Sequence, residues 1–233
     1  QGTGKDVAAK FLHQTSKRSE GPFMVLNCAI LRPDRLEAEL FGVEHSPETG
    51  GQAKGVLEKA NGGTVFLDEI SDMPLETQGK IIRVIQDQSF HRVGGTEEIS
   101  VDVRFVASSN QDLIQAMKEG DFRQDLYYRL SVVPIHIPPL RERPADIPKL
   151  CQYFIDQYAI STATLPRVLS DAALAIIQGY HWPGNVRQLR NAIEWVMIMS
   201  ENVPDKPVAP EQLPPEIVEG RAEGKTKEEL VSK

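Results

Sequence analysis

The first six residues, QGTGKD, have the glycine spacing and the lysine of a phosphate-binding loop. Gly2 and Gly4 would let backbone N–H groups curve around phosphate oxygens, and a helix that follows would direct its positive end at them. Lys5 would place a cation against the β- and γ-phosphates, and Thr3 and Asp6 complete the predicted nucleotide-binding stretch. Taken alone, so short a match is equally compatible with a capped turn.

Two adjacent carboxylates follow an apolar run in TVFLDE, residues 64–69. Ligand sites in parallel α/β sheets lie at the carboxyl ends of strands, where Asp68 and Glu69 fall. In a nucleotide hydrolase, such an aspartate holds Mg²⁺ and the next glutamate polarises the attacking water. The alternative, that both residues cap the next helix, is disfavoured because the glycine–lysine stretch precedes them in the expected order.

Two arginines in GDFRQDLYYRL, Arg123 and Arg129, have two possible roles. Arginines on a helix usually belong to a solvated face or to ion pairs. The alternative is an arginine finger, which adds a cation to the γ-phosphate of a neighbouring subunit. Composition does not decide between these interpretations.

The elements that must position these residues alternate between strand and helix. Buried strands are predicted at 22–27, 64–68 and 103–110, with a fourth at 131–137, and helices at 6–17, 75–88 and 111–120. Strands separated by helices of this length predict an α/β domain over residues 1–140, with a parallel sheet covered by helices. Pro138 and Pro139 end this pattern, since proline fits neither a helix interior nor a central strand.

The second part of the chain has a purely helical character. Segments 145–159, 170–180 and 185–200 predict three packed helices, a small all-α subdomain over 141–200, with Asn185 as the N-cap of the last. Residues 201–233 are rich in proline and charge, which predicts a linker toward a further domain.

Composition excludes several classes of function. A net charge of −7 and an isoelectric point near 5.3 argue against a broad polyanion-binding surface. The two cysteines, Cys28 and Cys151, match no metal or redox spacing. With no signal peptide and no membrane-spanning apolar run, the sequence predicts a cytoplasmic protein without membrane contact.

Short motifs along nearly the whole chain resemble those of the AAA+ domain of bacterial enhancer-binding proteins, the NtrC-type activators of sigma-54 RNA polymerase. In that family's order they are GTGK, NCA, ELFG, NGGTVFLDEI, RVGG, FRQDLYYRL, PPLRER, DIP and WPGNVRQLRN. The resemblance implies an AAA+ P-loop sheet with a helical lid, ATP and Mg²⁺ as cofactors, and a ring-shaped homo-oligomer with nucleotide between subunits. ELFG, RVGG and WPGNVRQLRN disfavour a clamp-loader or helicase-like AAA+ module.

The resemblance also implies residue roles at the phosphate end of the site. Gly2, Gly4 and Lys5 fall in Walker A. Asp68 and Glu69 form Walker B, where Asp68 would hold Mg²⁺ through the nucleotide.

Further roles are implied for residues more distant along the chain. Asn27 falls at the switch residue that holds the Walker B glutamate, and Asn110 at the first sensor. Arg123 and Arg129 fall at paired arginine fingers that act on a neighbour's nucleotide. Arg187 falls at the second sensor, in the lid.

Residues 44–51, EHSPETGG, depart from the family pattern. The family has a GAFTGA loop here, whose aromatic tip contacts sigma-54, whereas this chain has SPETGG at 46–51. Glu48 replaces the apolar tip, Pro47 stiffens the approach, and the following segment is about two residues shorter than is usual for the family. A carboxylate cannot replace a docked phenylalanine without losing apolar burial and adding a desolvation cost. Sigma-54 contact is therefore doubtful, and the degenerate loop most resembles that of NtrX-type nitrogen-regulation response regulators.

The resemblance implies further domains and two kinds of function. NtrX-type regulators carry a receiver domain, addressed by a sensor kinase, before the AAA+ domain and a DNA-binding domain after it. The AAA+ module itself is expected either to hydrolyse ATP or to act as a nucleotide-binding scaffold without significant ATPase activity; a conventional sigma-54-dependent activator is the remaining alternative. Because the family's Walker A and first strand begin before Gln1, this chain is expected to have an unanchored phosphate loop, to bind nucleotide weakly or not at all, and to be inactive as an ATPase by itself.

Overall fold

Alternating helices and strands build the first part of the molecule, and helices the second. The structure, a computed structural model, describes residues 1–45, 50–200 and 206–220. The helices are α1 (Lys5–Gln14), α2 (Pro33–Phe41), α3 (Val56–Lys59), α4 (Leu75–Asp87), α5 (Leu113–Glu119), α6 (Gln124–Leu130), α7 (Ile147–Thr162), α8 (Asp171–Gly179) and α9 (Asn185–Met199). The strands are β1 (Phe23–Asn27), β2 (Gly42–Val43), β3 (Ala53–Lys54), β4 (Thr64–Asp68), β5 (Ser89–His91), β6 (Glu98–Ser100) and β7 (Arg104–Ala107).

A parallel sheet lies at the centre of the first compact unit, residues 5–135. Within the described residues its strand order is β1-β4-β7, and β4 pairs with both neighbours in parallel. β4 is the apolar run TVFLD, and its first four residues are buried because a central parallel strand is covered on both faces. The predicted strands at 22–27, 64–68 and 103–110 and the helix at 75–88 are confirmed within a few residues. Helices flank the sheet, as predicted for an AAA+ fold.

The fourth predicted strand, at 131–137, is wrong. Those residues are described but lie in no strand, and Val132 and Val133 are about three-quarters exposed. Alternating apolar residues form a strand only when a neighbouring backbone accepts and donates their hydrogen bonds. In the described part of the chain no strand or β-bridge pairs with this segment.

Helices α7, α8 and α9 form the core of the second compact unit, residues 1–4 with 136–233. Trp182 is fully buried in this core, and its ring N–H donates to the carbonyl of Ile177 at 2.8 Å. The three predicted helical segments, at 145–159, 170–180 and 185–200, are present as α7, α8 and α9.

Residues 206–220, which the sequence predicted as linker, belong to this helical core. Val208, Leu213 and Ile217 are buried among its side chains. The backbone of Val208 also bonds on both sides, donating to Val168 at 2.7 Å and accepting from Ser170 at 3.0 Å. The linker interpretation is wrong here because a 3₁₀ turn, Pro210–Gln212, and a helical stretch at 215–220 bring these apolar side chains into the core. Residues 201–205 and 221–233 lie outside the described ranges.

Asn185 does not act as the predicted N-cap of α9. It begins the helix with φ 52, in the left-handed region that asparagine tolerates. Its buried side chain bonds elsewhere: Oδ1 accepts from the backbone N–H of Leu140 at 2.8 Å, and Nδ2 donates to the carbonyl of Gln1 at 2.9 Å. Separately, in the described ranges no helix is long and apolar enough to cross a membrane.

Candidate functional site

The carboxylate of Asp68 is held at the end of the central strand by two neutral donors. Parallel pairing of β1 with β4 places Asn27 beside Asp68, and Asn27 Nδ2 donates to Asp68 Oδ2 at 3.1 Å. From the β7 side, the hydroxyl of buried Ser108 donates to Asp68 Oδ1 at 2.5 Å. The orientation of this carboxylate is therefore fixed from both neighbouring strands.

Glu69 points along a different direction because its backbone is left-handed, with φ 55. A non-glycine residue in this region is strained, and such strain is concentrated at functional sites. Asn110 holds the Glu69 side chain: its Nδ2 donates to Oε1, and its backbone N–H donates to Oε2 at 3.2 Å. Asn110 Oδ1 in turn accepts from Lys5 Nζ. One amide therefore connects the predicted phosphate-loop lysine, Lys5, to the predicted second Walker B acid, Glu69.

The expected contact between Asn27 and Glu69 is not made in this structure. The register puts Asn27 opposite Asp68, and the left-handed turn at Glu69 directs its side chain to Asn110 instead. Sequence reasoning also missed Ser108. The available signal was its hydroxyl at the end of VRFVASS, on the strand next to Asp68.

The predicted Walker A residues fall in both compact units, with the boundary between Gly4 and Lys5. Gly2 and Gly4 have positive φ values, 71 and 95, as the phosphate-loop interpretation requires. Thr3 lies between them and is partly buried, while Asp6 is exposed in the first turn of α1.

Arg187, the predicted second sensor, lies near the start of α9 with an exposed side chain. Its backbone N–H donates to the carbonyl of Gly2 at 3.3 Å, beside a 2.9 Å bond from Val186 to the same oxygen. Arg187 and Gly2 therefore lie next to each other in one unit.

The two predicted arginine fingers differ in their surroundings. Arg123 forms a two-pronged ion pair with Asp125, with Nε to Oδ1 at 3.0 Å and Nη2 to Oδ2 at 2.7 Å. This pair raises the pKa of Arg123 and lowers the pKa of Asp125. Arg129 is exposed in the last turn of α6. Arg123 thus has the local ion pair that the simpler interpretation predicted, which leaves its role toward a neighbour a prediction.

The degenerate loop lies largely outside the described residues. Ser46, Pro47, Glu48 and Thr49 are not described, so the prediction about its tip is untested. Its flanks are described: Gly42–Val43 and Ala53–Lys54 pair as an antiparallel ribbon.

No cluster of three or more histidine, cysteine, aspartate or glutamate side chains suited to a metal ion occurs in the described ranges. Asp68 with the polar groups around it fits a hard cation that keeps several waters and is held through one carboxylate and a nucleotide. The oxygen ligands that such an ion prefers are therefore present at the strand end.

Two family profiles match the chain almost end to end. The sigma-54 interaction domain matches residues 1–136, and the AAA+ ATPase lid domain matches residues 141–230. Among proteins of known sequence, the nitrogen assimilation regulatory protein NtrX of Azorhizobium caulinodans is 48% identical over 216 residues, covering 93% of this chain and 47% of that protein. The transcriptional regulatory protein FlbD of Caulobacter vibrioides is 44% identical over 201 residues, covering 85% and 44%.

Solved structures of NtrX from Brucella abortus share this fold. The ADP complex is 45% identical with a TM-score of 0.87, covering 94% of this chain and 48% of that one. The ATP complex is 46% identical with a TM-score of 0.86, covering 93% and 48%. The chain thus spans about half the length of these relatives. With a matching domain profile over more than half of its length, this chain belongs to the sigma-54 interaction domain family, the AAA+ domain of NtrC-type regulators, and is similar to NtrX within it.

Proposed function

We propose that this chain is the ATP-binding and ATP-hydrolysing oligomerisation module of an NtrX-like transcriptional regulator. The observation that carries the proposal is the convergence of Lys5 and Glu69 on the side chain of Asn110. A cation suited to phosphate and a carboxylate suited to activating water meet there at the carboxyl end of a parallel sheet. The ADP and ATP complexes of Brucella abortus NtrX support nucleotide as the ligand.

Each residue has a defined task in this proposal. Bound ATP with Mg²⁺ supplies the phosphoanhydride that is cleaved and part of the charge compensation. Lys5 would bind the β- and γ-phosphates once its ammonium leaves Asn110, and Asp68 would hold the Mg²⁺ ion that accompanies the nucleotide. Glu69, released from Asn110 at the same moment, accepts a proton from the attacking water. Asn110 thereby senses whether the phosphate site is filled.

Arg123 and Arg129 are proposed to act on the nucleotide of a neighbouring subunit in a homo-oligomer. Arg123 must exchange its partner Asp125 for a phosphate, and its exposed position allows this because an exposed ion pair contributes little stability. In this arrangement Arg123→Ala lowers turnover while leaving nucleotide binding to the isolated subunit nearly unchanged. Equal loss of turnover and binding would instead indicate a structural role.

The module is not proposed to drive sigma-54 polymerase, because Glu48 replaces the apolar loop tip. Regulation would then come from DNA bound by a C-terminal domain and from a receiver domain addressed by a sensor kinase, in the cytoplasm. In vitro transcription from a sigma-54 promoter tests this: no ATP-dependent open complex is expected. Clear activation would favour the conventional activator, and nucleotide binding without turnover would favour a scaffold.

Nucleotide binding is tested by calorimetric titration of ADP into the intact protein, by which we mean the full-length regulator proposed to contain this chain, and into two lysine variants of it. Lys5→Ala should abolish binding because phosphate charge would face an uncompensated site. Lys10→Ala, on the same helix but exposed, is the matched control and should bind as the unchanged protein does. Equal affinity in all three proteins would refute the proposed site.

A further inference from the structure

Three successive carbonyls at the start of the chain are bonded to donors from the helical unit. The carbonyl of Gln1 accepts from Asn185 Nδ2 at 2.9 Å. The carbonyl of Gly2 accepts from the backbone N–H groups of Val186 at 2.9 Å and Arg187 at 3.3 Å, in the first turn of α9. The carbonyl of Thr3 accepts from Arg143 Nη2 at 2.8 Å. The loop that the sequence predicted to be unanchored is therefore held along its carbonyl side.

These bonds also fix the directions of the neighbouring N–H groups. In a trans peptide, the carbonyl of one residue and the N–H of the next point in opposite directions. Holding the carbonyls of residues 1–3 therefore turns the N–H groups of Gly2, Thr3 and Gly4 to the other side of the loop. Across residues 1–45, 50–200 and 206–220, none of these three N–H groups donates a hydrogen bond.

The backbone of the same residues has the conformation of an anion-binding nest. Gly2 and Gly4 have positive φ values while Thr3 between them does not, and this alternation makes successive N–H groups converge. Close packing leaves this arrangement little freedom, since a Cβ on Gly2 would lie 2.5 Å from the carbonyl oxygen of Gly184.

We propose that Asn185 and Arg143 are positioning residues that preorganise the phosphate-binding N–H groups of residues 2–4. Neither residue needs to touch the nucleotide, and each acts by holding a carbonyl on the opposite side of the loop. Asn185 suits this task because it tolerates φ 52 and because its Oδ1 is itself fixed by the N–H of Leu140. A preformed nest binds phosphate without the entropy cost of ordering the loop.

Because this inference rests on the proposed nucleotide site, its test includes variants that separate the two. Asn185→Asp keeps the left-handed backbone and the acceptor for Leu140, but it sets a carboxylate oxygen against the carbonyl of Gln1. Arg143→Met removes the donor to Thr3, whereas Arg143→Lys can still donate. Arg190→Ala, which breaks an exposed ion pair with Glu194 on α9, is the surface control.

The measurement is the affinity of the intact protein for ADP, tripolyphosphate and adenosine, together with the thermal midpoint without ligand. Asn185→Asp and Arg143→Met should each lower the affinity for ADP and for tripolyphosphate by about ten-fold, as expected from one lost or opposed hydrogen bond at the phosphate end. The affinity for adenosine should not change. Arg143→Lys should recover most of the loss, and Arg190→Ala should change nothing.

The outcomes separate the two ideas. The positioning role would be overturned if Asn185→Asp and Arg143→Met leave ADP affinity unchanged while Lys5→Ala abolishes binding. That result would still support the nucleotide site. Failure of the unchanged protein to bind ADP would overturn the site itself. Equal weakening of adenosine and tripolyphosphate, with a lowered midpoint, would show a merely structural role. If Asn185→Asp does not fold, the Arg143 pair decides the question alone.

Discussion

Replacing Ile217 with alanine should destabilise the helical unit, although the sequence places this residue in a proline-rich tail. Ile217 is 1% exposed and packs in the core built on α7, α8 and α9. Truncating such a buried side chain removes its transfer free energy and leaves a cavity, which costs about 2–5 kcal/mol. Its neighbour Val218 is 39% exposed, so Val218→Ala should cost under about 1 kcal/mol.

Intrinsic fluorescence isolates this effect, because both tryptophans, Trp182 and Trp195, lie in the helical unit. With an m value of about 1.5 kcal/mol per M urea, a loss of about 3 kcal/mol lowers the unfolding midpoint by about 2 M. Ile217→Ala should show this shift, and Val218→Ala a shift several times smaller. Equal small shifts in the two variants would mean that residues 206–220 do not pack in the helical unit. The assignment of this segment to its core would then be wrong.

The remaining predictions concern the positive-φ backbone at two glycines and the burial of the two cysteine thiols. Gly2→Ala should lower the urea midpoint more than Gly4→Ala: both sites have positive φ, costing about 1–2 kcal/mol for alanine, but only Gly2 also meets the Gly184 carbonyl. Ellman's reagent at pH 8 should label no thiol in the folded protein and two after unfolding, since burial raises the pKa of Cys28 and of Cys151 to about 12. Because the folded state retains these protons while the unfolded thiols ionise, stability should fall as pH rises from about 9 toward about 12, as measured by urea midpoints. A midpoint that rises over this range, or rapid labelling of the native protein, would contradict the burial of these thiols.

The sheet could be predicted from the sequence because each of its strands is a local signal. TVFLD is apolar throughout, as a central parallel strand must be, and the segments ending at Asn27 and near Ser108 have similar character. Residues 131–137, SVVPIHI, are similarly rich in apolar side chains, yet they form no strand. An apolar pattern indicates which face a strand would bury, but it does not indicate whether a neighbouring strand is present to pair with it.

The sequence predicted which candidate residues would lie near one another, but it did not predict all of their contacts. Lys5, Asp68, Glu69 and Asn110 lie together in one unit, as expected from their positions after strands or at a helix start. Which acid Asn27 contacts depends on strand register and on the left-handed turn at Glu69, and neither is encoded in motif spacing.

The role of Asn185, the last residue of the WPGN turn at 182–185, was also not predictable from the local sequence. Asparagine after a glycine is a good N-cap by composition, so the sequence favoured that role for Asn185. In the structure its side chain joins Leu140 and Gln1, residues 45 and 184 positions away in the chain. Contacts over such separations arise from tertiary packing, which a local pattern does not report.

Phosphate release from ATP, measured against protein concentration for the unchanged protein and for Glu69→Gln, tests the central claim most directly. We expect the rate per subunit to rise with concentration, because arginines from a neighbour complete the site. Glu69→Gln should still bind ATP but release phosphate about 10²–10⁴-fold more slowly, as expected when a general base is removed. Release that is absent at every concentration, or that Glu69→Gln leaves unchanged, would contradict the account.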